Sequence, residues 1–398
     1  MRLTPEISQF IREHQHDDVR ALALQAKKYP GIDMPFAIKQ IAGRQAAQHK
    51  IPSWYANESI VYPLHISLEQ CSSVVTAKYK ARLLTGETLV DLTGGFGVDC
   101  AFLSAGFQKA TYVERQKELC EIATHNFKAL GLSHIIIQNA DSVEALNETS
   151  PVDCIFIDPA RRNEHGGKTV LVSDCEPDVE ALESLLLQKA KRVMIKLSPM
   201  LDLTLALRSL PYTYEVHVVS VQNECKELLL LLKQSNKEVD SKEISIHCTN
   251  FTNSGVQDYV FTQAEEISAV AGYANEVDTY LYEPNASVLK AGAFRSVATH
   301  FGLKKLHPNS HLYTSDQLVV DFPGRYFKVD AVGSLKDKEL LAGLSQANIT
   351  IRNFPLSVAE LRKRTKLKDG GEIYLFATTL NSDKKVLIRC RKQARCTD

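Results

Sequence analysis

The chain has 398 residues, 44% of them hydrophobic and 24% charged, and its 47 lysines and arginines equal its 47 aspartates and glutamates. That length allows two or three globular domains, and zero net charge excludes a global basic footprint, so any nucleic-acid surface must be local. Nine cysteines occur without one C-x-x-C pair, which leaves zinc ribbons and dithiol redox motifs unsupported.

Residues 1 to about 85 read as a helical region. Ile7, Phe10 and Ile11, then Val19, Leu22 and Leu24, recur at helical spacing, and Phe36-Ala37-Ile38 with Ile41-Ala42 continue after Pro35, a helix start. A loop with Pro52, Trp54 and Tyr55 interrupts. Ser67-Leu-Glu-Gln70 resembles a capping box with Ser67 as the cap. A further helix through Ala77, Tyr79 and Leu83 leads to the next segment. Trp54, Tyr55 and Tyr62 either stack on a base, each worth about 1–3 kcal/mol, or staple the helical layer to a sheet.

Residues 86–234 alternate strand and helix patterns, which predicts a mainly parallel sheet. Thr88 to Leu92 is a buried strand, followed by Thr93-Gly94-Gly95-Phe96-Gly97 and a helix from about Val98. Glycines at 94, 95 and 97 allow a sharp turn and close approach of backbone to a ligand. This is the first βα turn of a nucleotide-type Rossmann sheet. It is not the dinucleotide fingerprint, because Cys100 stands where the third glycine belongs. Asp91 at the strand tip would repel a pyrophosphate and welcome a cation. S-adenosylmethionine, with a sulfonium and an ammonium, suits it; a plain turn with Asp91 capping the next helix is the alternative.

Three more strands end in acids: Lys109 to Glu114, Ile135 to Asp141, and Val152 to Asp158. Glu114 has the spacing of an acid that takes ribose hydroxyls, and Asp141 is placed to accept from an adenine amino group. Ligands of open α/β sheets bind off such strand ends. A helix from Pro177 to about Ala190, a fifth strand Val193 to Leu197, a helix Leu201 to Leu210 and an antiparallel pair, Tyr214 to Val221 with Glu227 to Leu232, complete the segment.

Residues 235–245 are a polar boundary. In 246–325, Tyr280 to Pro284 reads as a strand into a turn, Val288 to Phe301 as a helix and His311 to Phe322 as strands, compatible with a small ferredoxin-like subdomain. The last piece, 326–398, is basic: residues 351–398 hold 12 lysines and arginines against 5 acids. A helix Val358 to Leu367 carries Arg362, Lys363 and Arg364, ahead of a hairpin of Glu372 to Thr379 and Lys385 to Arg391. These cations either hold RNA phosphates or form a solvated face.

Asp91-Leu-Thr-Gly-Gly-Phe-Gly-Val-Asp99, Glu114 and Asp158-Pro-Ala-Arg-Arg162 resemble class I S-adenosylmethionine-dependent methyltransferases. With Leu68-Glu-Gln-Cys-Ser-Ser73 and Asn353-Phe-Pro-Leu-Ser357, the resemblance is to the bacterial branch with a THUMP-like C-terminal domain, and more distantly to the trimethylguanosine synthase group. It implies a Rossmann-like seven-stranded α/β domain at 86–234, small α+β domains at 246–325 (ferredoxin-like) and 326–398 (THUMP-like), and an RNA substrate, an rRNA or tRNA base. Asp91, Thr93, Gly94, Gly95, Gly97, Glu114, Asp141 and Asp158 are then the cofactor residues, and Trp54, Arg161, Arg162, Arg362, Lys363 and Arg364 the substrate residues.

Methyl transfer aligns nucleophile, methyl and sulfur and excludes water, and needs no metal. Where the nucleophile is an exocyclic amine, an Asx or Ser before proline takes its hydrogens and an aromatic follows. Asp158-Pro159 supplies the acceptor. Ala160 and Arg161 depart from the pattern, so the Arg161 guanidinium is assigned the holding of the base or a phosphate. Arg161 and Arg162 could otherwise pair with Asp174, Glu176 or Asp178. The competing functions are a protein or small-molecule acceptor, and a non-catalytic RNA binder on a relict fold. No apolar segment follows Met1, Leu228 to Leu232 is too short to span a bilayer, and the cysteines fit a reducing compartment, so a cytoplasmic protein without a membrane partner is expected.

Overall fold

A computed structural model describes residues 3–63, 65–161, 171–235 and 237–393, with backbone only at 65–67 and 161. Its contacts divide the chain into two units: residues 1–213 with 230–238, and residues 214–229 with 239–398.

The first unit carries β1 (Thr88–Asp91), β2 (Lys109–Glu114), β3 (Ile135–Asn139), β4 (Val152–Ile157) and β5 (Ala190–Leu197). They are parallel, with Asp91 beside both Tyr112 and Phe156, and Ile157 beside Ile195. The strand order is β3-β2-β1-β4-β5. It reverses direction between β1 and β4, which makes the carboxyl ends of those two strands the switch point. Helices Val98–Leu103, Lys117–Ala129, Ser142–Glu148 and Val179–Lys189 connect the strands. Each follows from its sequence; in Lys117–Ala129, for example, Leu119, Ile122, Ala123 and Phe127 fall on one face and are buried.

The N-terminal helices belong to the same unit. Pro5–His14 buries Ile7, Phe10 and Ile11 as the spacing requires. Leu24, expected inside, is 89% exposed, because Val19–Leu24 is only six residues long and seats Leu22 alone. Ser67, expected to precede a helix as its cap, lies within the helix His65–Gln70. Ser73 is the cap nearby, accepting from the Thr76 N–H at 3.3 Å to start Val74–Ala81.

β6 (Thr213–Val221) and β7 (Glu224–Lys233) form the expected hairpin, which lies in the second unit except for its end residues, Thr213 and 230–233. Gln222 and Asn223 turn it with φ of 51° and 64°, the left-handed pair that a two-residue loop demands. Two further strands extend this hairpin. β8 (Ser245–Thr252) adds in parallel to β6, and β9 (Gly255–Thr262) adds antiparallel to β8.

A separate seven-stranded sheet follows, built from β10 (Tyr280–Pro284), β11 (Lys304–Lys305), β12 (Tyr313–Ser315), β13 (Gly324–Gly333), β14 (Asn348–Arg352), β15 (Ile373–Thr379) and β16 (Lys385–Lys392), in the order β11-β12-β10-β13-β16-β15-β14. The ferredoxin-like and THUMP-like segments therefore share one sheet, through the β10–β13 pairing. Glu283 on β10, almost fully buried, pairs with both Arg325 and Arg352 across it. The helix expected over Val288–Phe301 is broken: Ala286–Ala291 ends at Gly292, in left-handed conformation, and Ser296–His300 restarts it.

Candidate active site

β1 ends in Asp91, which is fully buried. Its Oδ1 accepts from the Thr93 N–H at 3.0 Å, while its buried Oδ2 has no hydrogen-bond partner among the described residues. Burial pushes this carboxyl well above its ordinary range, and the charges of Asp99 and Asp158 push the same way.

The three glycines that follow do different work. A Cβ on Gly94 would lie 2.1 Å from the Tyr112 ring, so this glycine lets β2 pack under the turn. Gly97, at φ 88°, precedes the helix, and a Cβ there would lie 2.9 Å from Phe127. Gly95 has φ 55° and no neighbour nearer than 3.9 Å to a Cβ position. The backbone is exposed to an incoming group at Gly95 and packed against protein at Gly94 and Gly97.

Glu114 closes on this turn. Its Oε2 accepts from the Gly95 N–H at 3.0 Å and its Oε1 from the Gln116 N–H at 2.8 Å. One lone-pair site on each oxygen is thereby used and another stays available. The Tyr112 hydroxyl donates to the Gly95 carbonyl at 2.6 Å. Asp141 is the N-cap of Ser142–Glu148: its Oδ1 accepts from the N–H groups of Val143 and Glu144. Thr93 ties the first turn to β4, its hydroxyl accepting the Asp158 N–H at 2.7 Å.

Beyond β4 stands a charge network that sequence reading missed. Asp158 pairs with Lys196 of β5 at 2.5 Å, and Lys196 lies 3.5 Å from Asp99. Asp99 also accepts from the Ser72 hydroxyl at 2.7 Å and pairs at 3.2 Å with Lys80, a fully buried lysine that itself donates to Ser72. Burial opposes ionisation of Asp99, but the two ammonium groups outweigh it and hold the carboxyl below its usual value. A signal existed for Lys80: it falls at the helical spacing of buried Thr76 and Ala77. Lys196 gave none, because a lysine near a strand end normally reaches solvent.

One expected substrate residue is corrected and a second is engaged within the protein. Trp54 is 2% exposed and packs edge-on against Phe96 at 4.9 Å between ring centres, so it staples the helical layer and offers no face to a base. Arg362 turns back on its own unit, pairing with Asp369 and donating to the carbonyls of Ala347 and Leu367. Lys363 and Arg364 are exposed. Pro159 is buried. The backbone of Ala160–Arg161 pairs with Cys175–Glu176, and Arg162 lies outside the described residues. Of the acids considered as arginine partners, Glu176 pairs with Arg115 at 2.8 Å and Asp178 caps Val179–Lys189.

Comparison with known proteins gives this constellation a family. A family model of protein-L-isoaspartate(D-aspartate) O-methyltransferase matches residues 45–163, a ferredoxin-like domain model 280–323, and a THUMP domain-like model 324–392. The crystal structure of a protein from Porphyromonas gingivalis W83, classed as a methyltransferase, superposes with a TM-score of 0.87 at 36% identity, covering 99% of this chain and 100% of that one. An uncharacterized S-adenosylmethionine-dependent methyltransferase of Mycobacterium tuberculosis is 23% identical over 321 residues, 79% of this chain and 84% of the relative. The chain belongs to the class I S-adenosylmethionine-dependent methyltransferases that carry a C-terminal THUMP-like domain. Among the described residues no helix is long and apolar enough to cross a membrane.

Proposed function

We propose that this methyltransferase acts on RNA, on a base of rRNA or tRNA, with the carboxyl ends of β1, β2 and β4 as its catalytic site. The observation that carries the site is the pairing of two neighbours: Asp91, whose buried Oδ2 has no partner among the described residues, and Asp158, fixed by Lys196. The RNA reading rests on the THUMP-like match over 324–392, a module of RNA-binding type.

The residues present fit the cofactor. A buried carboxylate oxygen without a donor, on a carboxyl that burial alone would keep neutral, is stabilised in its ionised form by an ammonium. Glu114 has acceptor sites left for ribose hydroxyls, and Gly95 leaves room over the turn. Thr93, Gly94 and Gly97 hold the turn in shape. The Oδ2 of Asp141 is its one oxygen not engaged by the helix and is assigned to the adenine amino group. When bound, the cofactor supplies an electrophilic methyl group.

The chain's own part is to orient and to exclude water. Asp158 accepts hydrogens from the attacking group, and Lys196 keeps its carboxylate in one rotamer. Pro159 fixes the backbone that follows. Arg161 and Arg162 begin the segment assigned to hold the base or its phosphate, and Lys363 and Arg364 contact phosphates further along the RNA.

The test is the fate of tritiated methyl groups in extract from a strain lacking the gene. Label entering RNA with wild-type protein, and lost with Asp158→Ala, is the expected result. Label in protein or small molecules alone would replace RNA by another acceptor. RNA binding with no label in any fraction would point to a relict fold.

A further inference from the structure

We propose that Glu215, His217 and His247 form a binding site for a divalent transition-metal ion of the zinc type, separate from the residues assigned to methyl transfer. β6 and β8 run parallel with His217 directly beside His247, and Glu215 beside Ser245. Residues two apart on a strand share a face, so Glu215 joins the two histidines there. One ligand atom from each of the three lies within 4.8 Å of the other two. Glu215 Oε1 is 3.2 Å from His217 Nε2 and 3.0 Å from His247 Nε2. An ion with bonds of about 2.0–2.1 Å places neighbouring ligand atoms roughly 2.9–3.4 Å apart, so the carboxylate oxygen already stands at ligand distance from both imidazoles.

Two imidazoles and one carboxylate are the donor set that suits zinc, iron and nickel, and not calcium or magnesium, which take oxygen. The three side chains differ in exposure: His217 is 2% exposed, His247 29% and Glu215 27%. His217 is thus an anchor and the other two are reachable from solvent. Ser245 Oγ, 3.1 Å from His247 Nε2, adds a polar atom at the rim. Three protein ligands leave a fourth position for water, as in zinc sites that are not closed. No ligand spacing in the sequence announces the site, because Glu215-Val-His217 and His247 meet only when β8 joins β6, a pairing absent from the sequence reading. An ion here would clip the hairpin strand to the strand added beside it.

The full-length protein, stripped with chelator, would be titrated with Co²⁺ and followed by visible absorption, then with Zn²⁺ and followed by thermal unfolding. One equivalent of Co²⁺ is expected, with the weak bands of nitrogen and oxygen ligation and without the strong near-ultraviolet band of thiolate ligation. Zn²⁺ should raise Tm. His247→Ala and Glu215→Gln, each with unchanged far-ultraviolet circular dichroism, should bind at least about 100-fold more weakly, since loss of an outer-shell partner alone costs 10–100-fold, and should lose the Tm shift. Should His247→Ala not fold, Glu215→Gln and the wild-type titration decide. No stoichiometric binding by wild type, a thiolate spectrum, or undiminished binding by a folded variant would overturn the proposal.

Discussion

The strand tips of the first unit and the helix Val358–Thr365 of the second both concentrate charge, in opposite surroundings. In this region Lys80 and Asp91 are shielded from water, and Asp99 and Lys196 largely so, each in contact with a named neighbour. On the helix Lys363 and Arg364 are exposed, whereas Arg362 is folded inward. Buried charge is costly unless compensated, so its presence marks a site that something must complete. Exposed charge costs little and acquires a role only when a partner arrives. Substitutions in the two regions should therefore fail in different ways.

The largest effect is expected at Lys80. Lys80→Met strands Asp99 with only part of its compensation, and stability should fall by about 3–5 kcal/mol, read by chemical denaturation. A variant as stable as wild type would show that the network is not a structural element. Next come two adjacent glycines with opposite outcomes. Gly95→Asp has room for its side chain and adopts, at a cost of about 1–2 kcal/mol, a left-handed φ that aspartate tolerates better than most residues. It should still fold but lose cofactor affinity by at least about 100-fold, as expected when a group is misplaced in the site. Gly94→Ala drives a methyl group into Tyr112 and should cost about 1–3 kcal/mol or more in stability. Calorimetric titration and thermal unfolding of both proteins separate the two. Equal behaviour would remove the distinction between a ligand-facing and a packing glycine.

Asp91 gives a smaller, pH-dependent effect. The fold raises its carboxyl well above the ordinary value, so folding favours the neutral form. The penalty is absent below the unfolded-state value of about 3.9 and grows as pH rises through the folded value. Asp91→Asn should therefore raise stability at neutral pH by about 1–2 kcal/mol, with the gain vanishing toward pH 4, while cofactor affinity falls. Wild-type cofactor affinity should likewise weaken as pH falls and the carboxyl takes up a proton. Stability measured against pH for both proteins checks this, and a constant difference would refute it.

The least disruptive change lies in the exposed region. Lys363→Glu with Arg364→Glu should leave stability within about 0.5 kcal/mol and weaken RNA binding, with a shallower dependence on salt. Arg362→Ala should instead destabilise its unit, because its guanidinium holds three groups of its own chain.

Much of the first region was legible because strands that end in acids and one glycine turn obey strict backbone rules. Glu114 reaches the turn from the position that its spacing indicates. What spacing cannot show is which side of a packed layer a side chain takes: Trp54 reads equally as a stacking ring and as a staple, and Lys196 reads as a solvent-reaching lysine near a strand end. β8 and β9 escaped because buried polar residues, Thr249, Asn250 and Gln257, blur the apolar alternation of a strand. Asn250 and Gln257 satisfy one another at 3.0 Å, a pairing visible only in three dimensions.

In the proposed function Asp158 acts on the methyl acceptor while Lys363 and Arg364 only hold the RNA. Steady-state methylation of RNA by wild type, Asp158→Ala and the Lys363→Glu/Arg364→Glu double variant tests it most directly. Asp158→Ala should lower kcat by about 100-fold or more with cofactor affinity retained, and the double variant should raise KM for RNA at unchanged kcat. Full turnover by Asp158→Ala, or a double variant that loses kcat and not affinity, would contradict it.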